Sequence, residues 1–290
     1  MARRLDLHPW NALPGTIASG RGWAVMEGDS LEALEKLSPH SVDVAFADPP
    51  YLLSNGGTTC QSGRRASVNK GRWDASRGLA DDHAFQRRWL EAVRRVLKPS
   101  GTLWVSGTQH VIFSIGFALQ ELGYHLLNTV TWYKPNASPN LACRFFTHST
   151  EILLWASPMK ARPLAHRFNY QAMKAANGGK QMRDLWEIWE APAPGDGQVV
   201  WSVPTPGPRE KAHGRHPTQK PLALLERVLA ASAAEGDLVL DPFCGSGTTG
   251  VAALRAGCRF LGLEKDPTFA ELSAVRLREA EAPSAGAAAR

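Results

Sequence analysis

A glycine-rich segment late in the chain, Asp241-Pro-Phe-Cys-Gly-Ser-Gly-Thr-Thr-Gly250, follows a predicted strand and opens a predicted helix. Its glycines let the backbone turn tightly against a ligand. Glu264 ends the next predicted strand, where a carboxylate can accept hydrogen bonds from two ribose hydroxyls. This pattern predicts a nucleoside-binding βαβ unit without identifying the nucleoside. Too few residues follow Glu264 to supply the partner strands, so the earlier strands must complete the sheet, as in a permuted doubly wound fold.

Apolar runs and helical periodicities alternate along most of the sequence, which predicts an α/β fold with a doubly wound mixed sheet and helices on both faces. Strands are predicted at residues 23–26, 42–47, 102–106, 126–133, 151–156, 237–240 and 259–263. Helices are predicted at residues 30–37, 84–98, 112–122, 221–234, 248–256 and 267–280. Residues 55–74 are polar, contain several glycines and lack periodicity, which predicts a long mobile loop.

Basic residues exceed acidic residues by 33 to 27, and the excess is concentrated in three acid-free stretches at residues 51–72, 122–150 and 152–183. Such stretches favour a polyanion whose phosphates bind Lys and Arg. The charge alone leaves open a solvated basic face without a ligand. The candidate residues for contacts with such a polyanion are Arg64, Arg65, Lys70, Lys134, Arg144, Lys160, Arg162, Arg167, Lys174, Lys180 and Arg183.

Residues 157–215 depart from the alternating pattern, since they are basic, rich in proline and irregular. We interpret this region as an inserted module, flanked by one half of the main domain at residues 23–156 and the other half at residues 216–281. The module and residues 55–74 together are the predicted target-recognition elements.

The four cysteines are widely spaced and form no C-x-x-C pair, so neither a zinc site nor a disulfide scaffold is predicted. Their use indicates a reducing compartment. No apolar run is long enough for a membrane span, and no metal site is predicted. The sequence therefore predicts a cytoplasmic protein with no membrane association.

A second motif, Asp48-Pro49-Pro50-Tyr51, follows the predicted strand at residues 42–47, at the end where open α/β sheets place their active sites. A carboxylate beside a carbonyl fixed by proline presents two acceptors that suit both hydrogens of an exocyclic amine. Tyr51 supplies a face for a planar base. The competing interpretation is an ordinary turn, in which Asp and Pro are common.

Together these motifs resemble the DNA amino-methyltransferases, in the permuted beta group in which the catalytic motif precedes the cofactor motif. The sequence looks most similar to the DpnA-like adenine methyltransferases of restriction-modification systems, from about Gly28 to Leu277. The further matching segments are Leu53-Ser54-Asn55-Gly56-Gly57, Thr147-His148-Ser149-Thr150-Glu151, Gly179-Lys180-Gln181-Met182 and His216-Pro-Thr-Gln-Lys-Pro221. The resemblance implies the fold of S-adenosylmethionine-dependent methyltransferases, with an inserted target-recognition region.

The resemblance also implies S-adenosylmethionine as the methyl donor. The residues it assigns to the cofactor are Asp29, Lys220, Asp241, Phe243, Gly245, Gly247, Thr248 and Glu264. Glu264 would bind the ribose, Asp29 the adenine amine and Lys220 the methionine carboxylate. Asp29 has an alternative role near a helix N-terminus, since Asp is a favoured N-cap residue.

For catalysis, we expect the target adenine to be flipped out of the duplex. Its amine would donate to the Asp48 carboxylate and the Pro49 carbonyl while Tyr51 stacks on the ring, so that catalysis is mostly orientation and electrostatic placement. Pro50 completes the predicted catalytic motif. The expected partners are duplex DNA and also single-stranded DNA, a cognate restriction endonuclease and a second copy of the chain.

Two alternatives remain open at this stage. The family tends to use Ser in place of the first Asp when the N4 amine of cytosine is the target, so Asp48 favours adenine. A nicotinamide-dependent oxidoreductase built on residues 245–250 would leave the motif at residues 48–51 and the basic stretches without a role.

Overall fold

The computed structural model describes residues 13–54, 58–61, 64–67, 74–137, 139–141, 143–160, 164–187, 206–207, 209–214 and 216–282. The strands are β1 (Thr16–Gly20), β2 (Trp23–Glu27), β3 (Val42–Ala47), β4 (Thr58–Gln61), β5 (Arg64–Ser67), β6 (Leu97–Gly107), β7 (His125–Tyr133), β8 (Thr150–Ser157), β9 (Leu185–Glu187), β10 (Leu238–Asp241) and β11 (Arg259–Glu264). The helices are α1 (Ser30–Glu35), α2 (Leu79–Val96), α3 (Ile112–Glu121), α4 (Tyr170–Ala176), α5 (Leu222–Ser232), α6 (Thr248–Arg255) and α7 (Pro267–Glu281).

Nine strands form one mixed sheet in the order β1-β2-β11-β10-β3-β6-β8-β7-β9, and β4 and β5 form a separate hairpin. The five strands β2, β11, β10, β3 and β6 are parallel, so they all end at one edge, which we call the carboxyl edge. β8 runs antiparallel to both neighbours, so its first residues lie at this edge as well. The chain continues from β3 to one side and from β10 to the other, so the topological switch point lies between these two strands.

The central strands are buried on both faces, which explains their nearly continuous apolar sequence. In β3, Val44 and Phe46 belong to the core cluster on one face, and Ala45 and Ala47 belong to the cluster on the other. Among the described residues, the helices all fall short of the length and hydropathy that a bilayer span requires.

The predicted α/β class, with a permuted mixed sheet and helices on both faces, is confirmed. The prediction was wrong at the start of β6, which begins at Leu97 and includes Pro99, where a helix end and a stop were expected. Leu97 pairs with Val42 of β3, and this tertiary pairing overrides the local stop signal. The hairpin β4–β5 likewise replaces part of the predicted loop at residues 55–74, and β1 was not predicted.

The described part of residues 157–215 is joined to the main sheet. β9 pairs in parallel with β7. Before α4, the Asn169 side-chain amide donates to the carbonyls of Ala230 and Ala233 at the end of α5. These contacts anchor the start of the predicted insert to α5 and to the main sheet, and residues 188–205 of it lie outside the described residues.

Candidate active site

Asp48 follows β3 directly at the carboxyl edge, and the two prolines after it turn the chain back toward the sheet. The Tyr51 hydroxyl lies 2.7 Å from Asp48 Oδ1 and 3.0 Å from Ser106 Oγ of β6. Tyr51 itself is buried. The motif therefore holds its carboxylate in a fixed position between two neighbouring parallel strands.

Lys220, which precedes α5, reaches into this motif from the other half of the chain. Its Nζ donates to Asp48 Oδ2 at 2.6 Å and to the Tyr51 hydroxyl at 3.0 Å. Sequence analysis assigned Lys220 to the methionine carboxylate of the cofactor. In this structure its ammonium is paired with Asp48, and a contact with the cofactor carboxylate stays a prediction.

A second carboxylate completes the cluster. Glu151, at the start of β8, has Oε2 3.1 Å from the Tyr51 hydroxyl and 3.5 Å from Lys220 Nζ. Its Oε1 accepts a hydrogen bond from Lys134 Nζ at 3.0 Å, just after β7. Two carboxylates and two ammonium groups thus alternate across the carboxyl edge, with the Tyr51 hydroxyl between them.

Burial and these opposite charges act against each other on the cluster's pKa values. Burial raises the pKa of Asp48, which Lys220 opposes and the negative charge of Glu151 reinforces. Burial also raises the pKa of Glu151, but Lys220 and Lys134 outweigh it and hold this pKa at about 2. Burial lowers the pKa of Lys220, yet the two carboxylates prevail and raise it.

The glycine-rich segment lies next to this cluster, because β10 pairs directly with β3. The buried Asp241 carboxylate organises it by accepting hydrogen bonds from Phe243 N at 3.0 Å and from Thr249 Oγ1 at 2.6 Å. Burial raises the pKa of Asp241 to about 7. Gly245 and Gly247 have φ values of +53° and +76°, a left-handed backbone that favours glycine.

The same segment is braced from the far side by Arg276 of α7. Arg276 Nη1 donates to the Ser246 carbonyl at 2.5 Å and to Ser246 Oγ and Thr248 Oγ1, each at 3.0 Å. A Cβ added at Gly247 would lie against the Ser273 hydroxyl and 3.1 Å from Ser273 Cα. The segment is therefore packed so closely that only glycine fits at residue 247.

Glu264 ends β11, and Asp29 follows the end of β2, so both lie at the carboxyl edge. Glu264 accepts hydrogen bonds from Gly245 N at 2.7 Å and from Asp266 N at 2.8 Å, and burial raises its pKa. Asp29 Oδ1 caps α1 through Leu31 N at 3.0 Å, the alternative role considered from the sequence. Its Oδ2 accepts a hydrogen bond from Lys265.

These residues fit S-adenosylmethionine. The left-handed backbone at Gly245 and Gly247 makes the turn tight, and a Cβ at Gly245 would lie 3.2 Å from the His216 ring, so the glycine leaves room beside that ring. Phe243 packs edge-on against Trp89, with ring centroids 5.4 Å apart. A carboxylate oxygen has two lone pairs, so the Glu264 oxygens that accept hydrogen bonds from Gly245 N and Asp266 N can also accept from ribose hydroxyls.

Only some of the predicted DNA-contacting residues lie at the carboxyl edge of the sheet. The Lys134 side chain is 18% exposed and paired with Glu151, and its contact with DNA stays a prediction. Lys160 follows the end of β8, and Arg167 lies 3.7 Å from Asp237 before β10, so both lie at the opposite edge of the sheet.

The other basic candidates fall into two groups. Arg144, Lys180 and Arg183 are exposed and Lys174 is half-buried. Arg64 and Arg65 lie in β5, and Lys70 and Arg162 lie outside the described residues.

Glu151 and Ser106 were missed as site residues. In the sequence, Glu151 stood out only as part of a matching segment. It is a charged residue at the start of an apolar strand, and this position would have placed it at the site if β8 had been known to run antiparallel.

Comparison with known proteins gives a consistent result. Residues 42–275 match the family model described as DNA methylase. The chain is 47% identical over 259 residues to the Type II methyltransferase M2.DpnII of Streptococcus pneumoniae, covering 89% of this chain and 90% of that protein. It is 41% identical over 259 residues to the Type II methyltransferase M2.MboI of Moraxella bovis, with 89% of each covered.

Two solved structures share the fold. The crystal structure of the M1.HpyAVI–SAM complex has a TM-score of 0.60 and 24% identity, and covers 88% of this chain and 98% of that chain. The cytosine-N4-specific PvuII DNA methyltransferase has a TM-score of 0.64 and 20% identity, and covers 88% of this chain and 86% of that chain.

Proposed function

The chain belongs to the DNA methylase family and is a DNA methyltransferase that uses S-adenosylmethionine, and on that premise we propose that its target is the exocyclic N6 amine of adenine. The observation that carries the proposal is the largely buried Asp48 carboxylate, 13% exposed, beside the glycine-rich segment at the switch point of the sheet. The relatives named Type II methyltransferases support methylation at a specific sequence. Asp48 at the first motif position favours adenine over cytosine.

In this proposal Asp48 and the Pro49 carbonyl each accept one hydrogen of the amine and direct its lone pair. Bound S-adenosylmethionine supplies a methyl group that is electrophilic because it is attached to a sulfonium. As the N–C bond forms and the S–C bond breaks, the nitrogen must lose a proton. The Asp48 carboxylate, whose pKa burial raises, is placed to accept it.

Lys220 has to leave Asp48 Oδ2 before an amine can bind there, because one oxygen cannot place both donors in the same position. Glu151 Oε2, 3.5 Å from Lys220 Nζ, provides the alternative partner. The cluster thus keeps the Lys220 charge compensated in either position. Glu264 on the ribose and Asp29 near the adenine of the cofactor complete the proposed binding residues.

The proposal extends to the setting of the enzyme. Relatives of the Type II class support a restriction-modification system with a cognate endonuclease, acting in the cytoplasm where the DNA is. A homodimer is the proposed assembly, which light scattering of the purified protein tests directly. Residues 157–215, with the hairpin β4–β5, are the proposed target-recognition region.

The deciding experiment incubates the protein with tritiated S-adenosylmethionine and mixed-sequence duplex DNA, digests the DNA and identifies the labelled nucleoside. Label in N6-methyladenosine is expected. Label in N4-methylcytidine would overturn the base assignment, and absence of label from duplex and single-stranded DNA would overturn the proposal. Asp48→Ala should abolish transfer while cofactor binding, measured by calorimetry, persists.

A further inference from the structure

The loop between β7 and β8 carries exposed aromatic side chains. Phe146 is 96% exposed and its neighbour Phe145 is 59% exposed. Leu141 in the same loop is also exposed. Single exposed apolar residues are common, but a group of them in one loop marks an interaction surface.

The described part of this loop has defined backbone contacts. The Asn140 side-chain amide donates to the Phe145 carbonyl at 2.7 Å. The Phe145 ring packs beside His148, with ring centroids 5.3 Å apart. These contacts occupy Phe145 and fix the backbone next to Phe146, which presents its ring to solvent.

The loop lies beside the proposed active site. An open cavity of about 480 Å³ is lined by Gln109, Phe145, Phe146, Thr147, His148, Ser149 and Thr150. Thr150 immediately precedes Glu151, whose carboxylate is 3.1 Å from the Tyr51 hydroxyl. Gln109 follows the end of β6, the strand that carries Ser106. The exposed aromatic group therefore lies at the carboxyl edge, next to the residues that would receive an extruded base.

Charge at this loop suits a nucleic acid. Residues 122–150 contain no acidic residue, so nothing in the stretch repels phosphates. Arg144, directly before Phe145, is exposed. A guanidinium can bind the phosphates of DNA, and a neighbouring aromatic ring can stack on its bases, so the two side chains together can bind both parts of a nucleic acid.

We propose that Phe146 inserts into the base stack of the bound DNA beside the target adenine and fills the space that the extruded base leaves. This inference rests on the proposed function and adds to it the residue that stabilises the opened duplex. Apolar side chains inserted between base steps are a general means of holding unstacked DNA. Extruding a base costs unpairing and unstacking energy, which a stacked ring offsets in part. Phe146 is accordingly a positioning residue and takes no part in the chemistry.

The test compares Phe146→Ala and Phe146→Trp with the control Phe117→Ala. Phe117 is 58% exposed on α3 and has its ring beside His83, away from the loop. Each variant is assayed on a duplex, on the same duplex with a mismatch opposite the target adenine, and on the single strand. We expect Phe146→Ala to lower kcat/KM on the paired duplex by about tenfold, the size of one lost stacking contact. Activity on the mismatched and single-stranded substrates should be unchanged, and Phe146→Trp should retain duplex activity.

Fluorescence of 2-aminopurine at the mapped target position reports base extrusion without requiring methyl transfer. Phe146→Ala should show a smaller signal than wild type, and Phe117→Ala a wild-type signal. An equal loss on duplex and single strand, or no loss, would overturn the inference while leaving the proposed function intact. Label in N4-methylcytidine together with the same duplex-specific loss in Phe146→Ala would instead overturn the adenine target while leaving the role of Phe146 intact.

Discussion

Lys220 Nζ lies 2.6 Å from Asp48 Oδ2, so the carboxylate proposed to bind the target amine is already paired with a cation. The two residues come from different halves of the chain and meet only because β3 and the segment before α5 share the carboxyl edge. The ion pair balances the negative charge of Asp48 until the target amine replaces the Lys220 ammonium at Oδ2.

Removal of the Lys220 charge should move the activity to higher pH. In Lys220→Met, burial and Glu151 still raise the pKa of Asp48, while the ammonium that opposes them is gone. The fraction of ionised Asp48 at a given pH therefore falls, and the acidic limb of kcat/KM against pH should shift upward. Loss of one partner of a buried pair also destabilises by about 3–5 kcal/mol, measurable by urea unfolding.

A matched control is Lys98→Met, whose Nζ lies 2.6 Å from Asp43 at the opposite edge of the sheet. Its pH profile should keep the wild-type shape. A Lys220→Met enzyme that folds and retains the wild-type profile would contradict the electrostatic role.

Asp241 should make the protein less stable as pH rises. Its folded pKa, about 7, lies above its ordinary value of 3.8, so between these pH values the folded state holds a proton that the unfolded state has released. The free energy of unfolding therefore decreases with rising pH in this window and levels off above about 7. The full difference is on the order of 4 kcal/mol.

The measurement is chemical denaturation of wild type and Asp241→Asn from pH 4 to pH 8. Asn retains an acceptor for Phe243 N and does not titrate, so the stability of the variant relative to wild type should rise across the window. Parallel curves for the two proteins would contradict the assignment. Glu151, with its pKa lowered from 4.5 to about 2, has the opposite sign, and its contribution to stability is complete only above pH 4.5; it is the same in both proteins and cancels in their comparison.

Gly247→Ala should weaken cofactor binding by more than the backbone strain of an alanine at positive φ would cause. The new methyl group would meet the Ser273 side chain and backbone, and the residue would keep a φ of +76°. Gly236→Ala is the matched control, since its φ is +84° and nothing lies within 4 Å of the added Cβ.

Both variants should lose about 1–3 kcal/mol of stability from the strained backbone. Only Gly247→Ala should raise the Kd for S-adenosylmethionine in calorimetry. Equal effects of the two substitutions on this Kd would show that close packing against Ser273 is unimportant.

Arg276→Met should weaken the hydrogen bonding of the glycine-rich segment and so the binding of S-adenosylmethionine, without changing the binding of DNA. The substitution leaves the buried Ser246 carbonyl and Thr248 hydroxyl without their donor, at a cost of about 1–3 kcal/mol. We expect a Kd for S-adenosylmethionine that is higher by about tenfold, with an unchanged KM for DNA. Arg278→Met, an exposed residue of the same helix, is the control and should match wild type.

The sequence predicted the parts of the site that lie where parallel strands end. Asp48, Asp241 and Glu264 each follow or close an apolar run, and glycine spacing marks the turn between them, so local pattern was sufficient. The same holds for the sheet class and its permuted order.

Contacts between residues on different strands could not be predicted from the local sequence pattern. Glu151 reaches the site because β8 runs antiparallel, and Lys220 because its loop crosses from the cofactor half. Neither orientation is encoded in periodicity. Lys134 was predicted to contact DNA from its charge alone, and its ion pair with Glu151 could be found only from the structure.

The reversed direction of β8 has a consequence for the loop that precedes it. The two ends of the loop between β7 and β8 are held together at the carboxyl edge by the hydrogen bond between Lys134 and Glu151. Closing a longer loop costs little extra entropy once its ends are fixed. The loop can therefore tolerate insertions and substitutions between these two anchors while the Lys134–Glu151 pair stays in place.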